Sequence, residues 1–207
     1  MKFLKLTFIV FFAGFLTGCA STTTTRIDAT KVTDLSGYWN DTDARLTADE
    51  MIKDCLAGQW LWNFNQTNGR APVVIVGTIR NKTFEHIESD VFIDSLQKAL
   101  INSGKIKFVA SSGERQEVRE ERRDQQAGNT EPSTITATGH ETGADFMLQG
   151  NINAIQEGVE SHHVMFDSEK STSFYQVSLE LIDLKTNQKL WIGQKEVKKL
   201  VQRSKVF

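Results

Sequence analysis

Pro72-Val73-Val74-Ile75-Val76-Gly77-Thr78-Ile79 is the stretch on which the fold turns. It is a continuous β-branched run without polar alternation. A strand of this kind is covered on both faces, so it belongs near the middle of a sheet. Downstream, a polar loop Arg80–Ser89 leads to Phe92, Leu96, Ala99 and Leu100, which recur at helical spacing over about 90–102. Ser103-Gly104 ends that helix. Lys105-Ile106-Lys107-Phe108-Val109-Ala110 alternates as a short strand. Strand, helix and strand make a parallel, right-handed crossover unit.

Upstream, Ala44, Ala48, Met51, Ile52 and Cys55 share one face of a helix over about 42–58. Asp41 is its expected N-cap and Gly58 its stop. Asp41-Thr42-Asp43 lacks the glycine and distal Glu of a calcium loop, so these acids read as capping groups. Trp60-Leu61-Trp62-Asn63-Phe64 reads as an extended segment with Trp60, Trp62 and Phe64 on one side, followed by a polar turn through Asn68-Gly69.

Beyond Ala110, residues 114–127 interleave Glu and Arg one turn apart around a lone Val118, as in a solvated helix. A weak helix over 133–142 is expected next. Phe146–Ala154, Tyr175–Leu181 and Leu190–Val197 alternate apolar and polar residues, and the last two form an antiparallel hairpin through Lys185–Gln188. Gln156–Thr172 reads as a loop of about 17 residues, long for a compact domain. The expected class is α/β (α+β), with one mixed sheet of about five strands flanked by helices.

The start of the chain is organised differently. Lys2 and Lys5 precede an apolar run from Leu6 to Leu16, too short to cross a bilayer and laid out as a secretory leader. Leu16-Thr17-Gly18-Cys19 closes it and resembles the lipobox of bacterial lipoproteins. That resemblance implies cleavage after Gly18 and acylation of Cys19. With Ala20 rather than Asp next, it implies the periplasmic side of the outer membrane. Residues 19–36 read as a flexible tether and 37–207 as one globular domain.

Removing residues 1–18 takes away two lysines and no acid, leaving 22 basic against 26 acidic side chains, a net charge of −4. Such a balance argues against nucleic acid, which needs a basic footprint. With Cys19 acylated, Cys55 has no partner for an intramolecular disulfide and reads as a small buried apolar residue. His162-His163 are neighbours whose rings point apart on an extended chain, a poor metal pair. Phosphate-loop, nucleophile-elbow, zinc-protease and redox Cys motifs are all missing. The sequence points to a binding or regulatory module with no catalytic residue, cofactor or metal.

Several segments together resemble the LpoB family. They are Asp34-Leu35-Ser36-Gly37-Tyr38-Trp39-Asn40-Asp41-Thr42-Asp43, Pro72–Gly77, Ala99–Lys105, Phe108–Ser111, Gly143–Gly150 and Lys189–Gly193. The resemblance spans about 34–197 and implies an outer-membrane lipoprotein that activates class A penicillin-binding proteins. It also implies a fold similar to the N-terminal domain of TolB. Trp39, Trp60, Trp62, Arg115, Arg119, Arg122 and Arg123 are the candidate contacts for such a partner if exposed. A second reading is an envelope secretion or assembly component similar to the curli-secretion lipoprotein, disfavoured because the 156–172 segment looks too short and polar for barrel hairpins. A third, an enzyme or ligand carrier, calls for a deep polar pocket.

Overall fold

The computed structural model describes residues 22–34, 36–162 and 167–205. It divides into a short N-terminal unit ending at Lys31 and a folded unit from Val32 onward. In the first, residues 22–31 contain no helix or strand; a turn closes where the backbone N–H and Oγ of Thr30 each donate to Asp28 Oδ1 at 2.7 Å. The lipobox reading at Cys19 lies outside the described residues.

The folded unit runs α1 (Asp41–Ala57), α2 (Gln59–Asn68), β1 (Val73–Asn81), α3 (Ser89–Asn102), β2 (Lys107–Phe108), α4 (Ser112–Asp124), β3 (Phe146–His162), β4 (Asp167–Asp183) and β5 (Lys189–Lys205). The five strands form one mixed sheet in the order β2-β1-β3-β4-β5. β1 pairs in parallel with β2 and β3, and the remaining contacts are antiparallel. As its unbroken apolar run requires, β1 is interior, with Val73, Val74, Ile75 and Val76 all buried.

One face of the sheet carries the core. Phe146, Leu148 and Ile152 of β3 and Tyr175, Val177, Leu179 and Leu181 of β4 meet Ala48, Met51, Ile52 and Cys55 of α1 and Phe92, Leu96 and Leu100 of α3. Truncating a residue such as Phe92 to Ala would cost about 3–5 kcal/mol. The other face is open and carries Gln149, Asn151, Asn153, Gln176 and Ser178, the polar half of the alternation.

Several expectations need correction. The N-cap of α1 is Asn40, not Asp41: Asp43 N–H donates to Asn40 Oδ1 at 3.1 Å while Asn40 N–H donates to Asp43 Oδ2 at 2.9 Å. This reciprocal box satisfies two helix-start groups at once, which outweighs a single Asp one residue later. Trp60–Phe64 is helical, not extended. Trp60, Leu61 and Phe64 share the inner face at helical spacing, and the rings of Trp60 and Phe64 both meet Phe146 edge-on, at 5.3 and 5.1 Å. Gly69, with φ of 62°, closes α2 in the left-handed conformation that glycine adopts without strain.

β1 runs on to Asn81, shortening the loop assigned to 80–89, and β2 has two residues where six were expected. The charged helix stops at Asp124 and continues as a π-helical turn over Gln125–Asn129. The helix expected over 133–142 is reduced to a 3-10 turn at Pro132–Thr134. The largest difference concerns Gln156–Thr172, which is strand rather than loop on both sides of residues 163–166. β3, β4 and β5 are each 17 residues long, and their outer ends continue the ladder. The register sets Glu160 opposite Lys170, Glu169 opposite Arg203 and Asp167 opposite Lys205. These register positions are polar or charged in the sequence and carry no apolar alternation, so a reading by hydrophobic period missed them.

Two polar clusters fasten the segment before α1 onto this sheet. Lys199 Nζ, nearly buried, reaches Asp43 Oδ2 at 2.5 Å, Asp34 Oδ1 at 2.8 Å and the Tyr38 carbonyl at 3.0 Å. The single O–H of Tyr175 is shared between Glu85 Oε1 at 2.5 Å and the Gly37 carbonyl at 2.9 Å, and Trp39 N–H donates to Glu85 Oε2 at 3.2 Å. Gly37 lies so close to β4 and β5 that a Cβ there would meet Ser173 Oγ and Val201 Cγ2, both at 2.9 Å.

Candidate functional site

The residues expected to contact a partner do not form one patch. Trp60 is buried, and its indole N–H donates to the Cys55 carbonyl at 2.7 Å, so it is structural and unavailable to a partner. Trp39 is half-buried, edge-on to Phe92 at 6.2 Å and to Tyr175 at 5.5 Å. Trp62 is exposed on the outer side of α2. Both Trp39 and Trp60 therefore contribute area to the core, the ordinary fate of a large aromatic.

The four arginines share one side of α4. At 100° per residue, Arg115, Arg119, Arg122 and Arg123 cluster together, while Glu114, Glu117, Glu120, Glu121 and Asp124 fall opposite. The arginine side faces Glu141, in the irregular segment before β3. Arg119 Nε and Nη2 donate to the two oxygens of Glu141 at 2.8 and 2.6 Å, and Arg122 Nη1 donates at 3.4 Å. The hydrogen-bonded Arg119 guanidinium holds Glu141 below the usual carboxylate range. α4 has no buried residue; its start is secured by Ser111 and Glu114, whose carboxylate accepts the Ser111 N–H at 2.7 Å. On the arginine side, Arg115 and Arg122 are half-buried, while Arg119 and Arg123 stay exposed. The role of Glu141 was invisible in the sequence because it lies 22 residues from Arg119 in a segment with no periodicity.

Cys55 is buried, as its helical face implied, and burial pushes its thiol up to about 12. A thiol held protonated is a poor nucleophile. Among the described residues no group of three or more His, Cys, Asp or Glu is arranged to hold a metal ion. The His162-His163 side chains lie outside the described ones.

A groove of about 860 Å³ runs along β1. It is lined by Ile75–Arg80, by the flank of α3 at Asp90, Ile93 and Asp94, and by the start of α4 at Ser111 and Arg115. Of the arginines proposed from sequence, Arg115 alone lines it. Sequence reasoning missed the groove because it arises from β2 stopping early, a tertiary event with no local signature. A smaller cavity of about 260 Å³ opens on the polar sheet face by Arg80, Asn151, Glu180 and Lys189. The Lys189 ammonium, hydrogen-bonded to Glu180, holds that carboxyl low.

The family model described as peptidoglycan-synthase activator LpoB matches residues 43–197, about three-quarters of the chain. The chain belongs to the LpoB family. Among curated proteins, none matches it. Among solved structures it resembles the LpoB C-terminal domain from Salmonella enterica, at 16% identity and a TM-score of 0.42, covering 75% of this chain and 98% of that one. The LpoB C-terminal domain from Escherichia coli is similar at 15% identity and a TM-score of 0.37, covering 72% and 97%. Lipoprotein GNA1162 from Neisseria meningitidis gives 15% identity and 0.35, covering 63% and 84%. The LpoB family consists of regulators of penicillin-binding proteins rather than catalysts. The matched span takes in every helix and strand from Asp43 to Val197, including the groove along β1, but neither Cys19 nor Trp39.

Proposed function

We propose that this LpoB-family chain is acylated at Cys19, faces the periplasm from the outer membrane, and activates a class A penicillin-binding protein by binding it. The family match over residues 43–197 carries this reading. The physical mechanism is a shift in population: the domain binds one conformation of the synthase more tightly than another and performs no chemistry itself. Trp62, Arg115, Arg119, Arg122 and Arg123 are proposed contacts, and Trp39 and Trp60 act by supporting the fold. The second reading, a secretion or assembly lipoprotein, loses its objection on length, since β3 and β4 form a long hairpin. Its objection on composition stands: Glu157, Glu160, Lys170 and Thr172 occupy the outer register positions, where a barrel wall needs apolar residues.

From Cys19 to Val32 about 13 residues reach at most ~45 Å, so the domain works close to its membrane and its partner extends toward it. The test is reconstitution of the mature lipoprotein with a class A synthase in detergent micelles and measurement of glycan polymerisation from lipid-linked precursor. Activation expects a several-fold faster rate and a saturable complex. An unchanged rate together with no complex overturns the proposal.

A further inference from the structure

One row of the sheet is only partly filled. β2 pairs with β1 at Val73↔Lys107 and Val74↔Phe108, and the chain then turns away into α4 while β1 runs on to Asn81. The Val74 carbonyl accepts the Val109 N–H at 3.2 Å on the β2 side. Backbone groups of a strand alternate in direction, so Val76, two residues on, turns its own N–H and C=O to that same side. Among the described residues no strand pairs with β1 there beyond Val74. The register with β3 also shifts between Val76 and Ile79, which leaves Thr78 exposed in a bulge at the same edge.

The groove of about 860 Å³ lies where β2 would have continued. Ile75 to Arg80 spans roughly 20 Å at ~3.3 Å per residue, the reach of a short strand. An exposed strand edge is a template for another chain. Along one wall, Asp90 and Asp94 stand one turn apart on α3, both exposed, and among the described residues neither forms an ion pair. On the opposite wall stands Arg115, whose Nε–H is covered by the chain itself and, among the described residues, has no acceptor.

We infer that an extended segment of the partner adds to β1 as an extra strand in this groove, carrying a Lys or Arg side chain on the α3 side where it meets Asp90 and Asp94. Main-chain hydrogen bonds to the β1 edge supply affinity, and the alternate side chains supply specificity. The uncompensated carboxylates select a basic segment, and a helix, its own backbone already bonded, would leave the β1 edge unsatisfied. The inference rests on the activator reading, because it assigns that segment to the synthase.

Two measurements on the mature lipoprotein with a class A synthase test it. The first compares synthase Kd for wild type and for the double variant Asp90→Lys/Asp94→Lys, with Glu117→Lys/Glu121→Lys on the outer side of α4 as control. The second places a photo-reactive phenylalanine analogue at Thr78 in otherwise wild-type protein and maps the cross-link. Strand addition expects at least a tenfold rise in Kd for the first pair and less than twofold for the control. It also expects a cross-link to a single extended, Lys- or Arg-bearing segment of the synthase. If the first pair is misfolded by circular dichroism, the cross-link decides. Wild-type-like binding of a folded Asp90→Lys/Asp94→Lys variant, or a Thr78 cross-link that misses the synthase, overturns the inference while leaving activation standing. Failure of wild type to bind any class A synthase overturns the activator reading, and the inference falls with it.

Discussion

Replacing Lys199 by Met keeps the apolar stem of the side chain and removes its charged end, so it isolates the ion cluster at the entry to the domain. Lys199 and Asp43 both have side chains about 8% exposed, whereas Asp34 is 48% exposed. Breaking a buried pair by deleting one partner costs about 3–5 kcal/mol, because the other charge is stranded. Asp43 retains the Asn40 N–H, which lowers that figure, and the exposed Asp34 adds under ~1 kcal/mol after solvent screening. The expected loss is therefore about 2–3 kcal/mol, a fall in Tm of about 5–10 °C for a domain of this size. Burial pulls the Lys199 ammonium down, but hydrogen bonds and charge from Asp34 and Asp43 overcome it and leave it raised. A raised amine contributes stability below its ordinary value near 10.5 that disappears as pH rises through the folded value. Asp34 is held low by hydrogen bonds from Lys199 and Asn40, so its share is present above its ordinary value near 3.8 and vanishes as pH falls through the folded one. Urea unfolding from pH 3 to 11 should show the difference between wild type and variant full at neutral pH, falling at the alkaline end as Lys199 loses its charge, and narrowing by the smaller Asp34 share toward pH 3. A difference under ~1 kcal/mol at pH 7, or one independent of pH, refutes the reasoning.

Four further outcomes are expected. Tyr175→Phe strips the donor from the Gly37 carbonyl and from Glu85 and should cost about 1–3 kcal/mol in urea unfolding. Gly150→Ala drives a Cβ to 2.1 Å from the Ser178 carbonyl oxygen, which must force β3 and β4 apart; a loss of about 1–3 kcal/mol or more by thermal melt is expected. Cys55, its thiol pushed up to about 12 and buried, should resist a thiol-specific reagent at pH 8 in the folded protein and react fully in guanidinium. Glu141→Gln should speed amide exchange along α4 while leaving the Tm of the domain unchanged, because that helix buries no residue.

The sequence spoke clearly where one signal dominated. The β-branched run of β1, the period of α3 and the alternation in Phe146–Ala154 each led to the right element and the right core face. It misled where two signals competed. Trp60, Trp62 and Phe64 alternate as a strand would, yet Trp60, Leu61 and Phe64 also fit a helix face, and Phe146 decided between them. It was silent over the outer ends of β4 and β5, where Glu169 opposite Arg203 and Asp167 opposite Lys205 leave no apolar period to detect. Of the partner-contact candidates, the arginines of α4 were correctly placed on a charged helix, but the acid that ties Arg119 and Arg122 to the rest of the fold, Glu141, belongs to a segment without pattern. The groove along β1 could not be read at all, since it depends on a strand only two residues long.

The fastening of residues 34–40 has a mechanical consequence. If the chain is tethered at its start, any tension from the envelope enters the fold at Asp34. From there it divides through Lys199 into β5 and through Asp43 into the head of α1, with Glu85 taking a further share at Trp39. Such a joint spreads a pull over sheet and helix before the apolar interior is strained, so the core and the groove along β1 keep their shape under load.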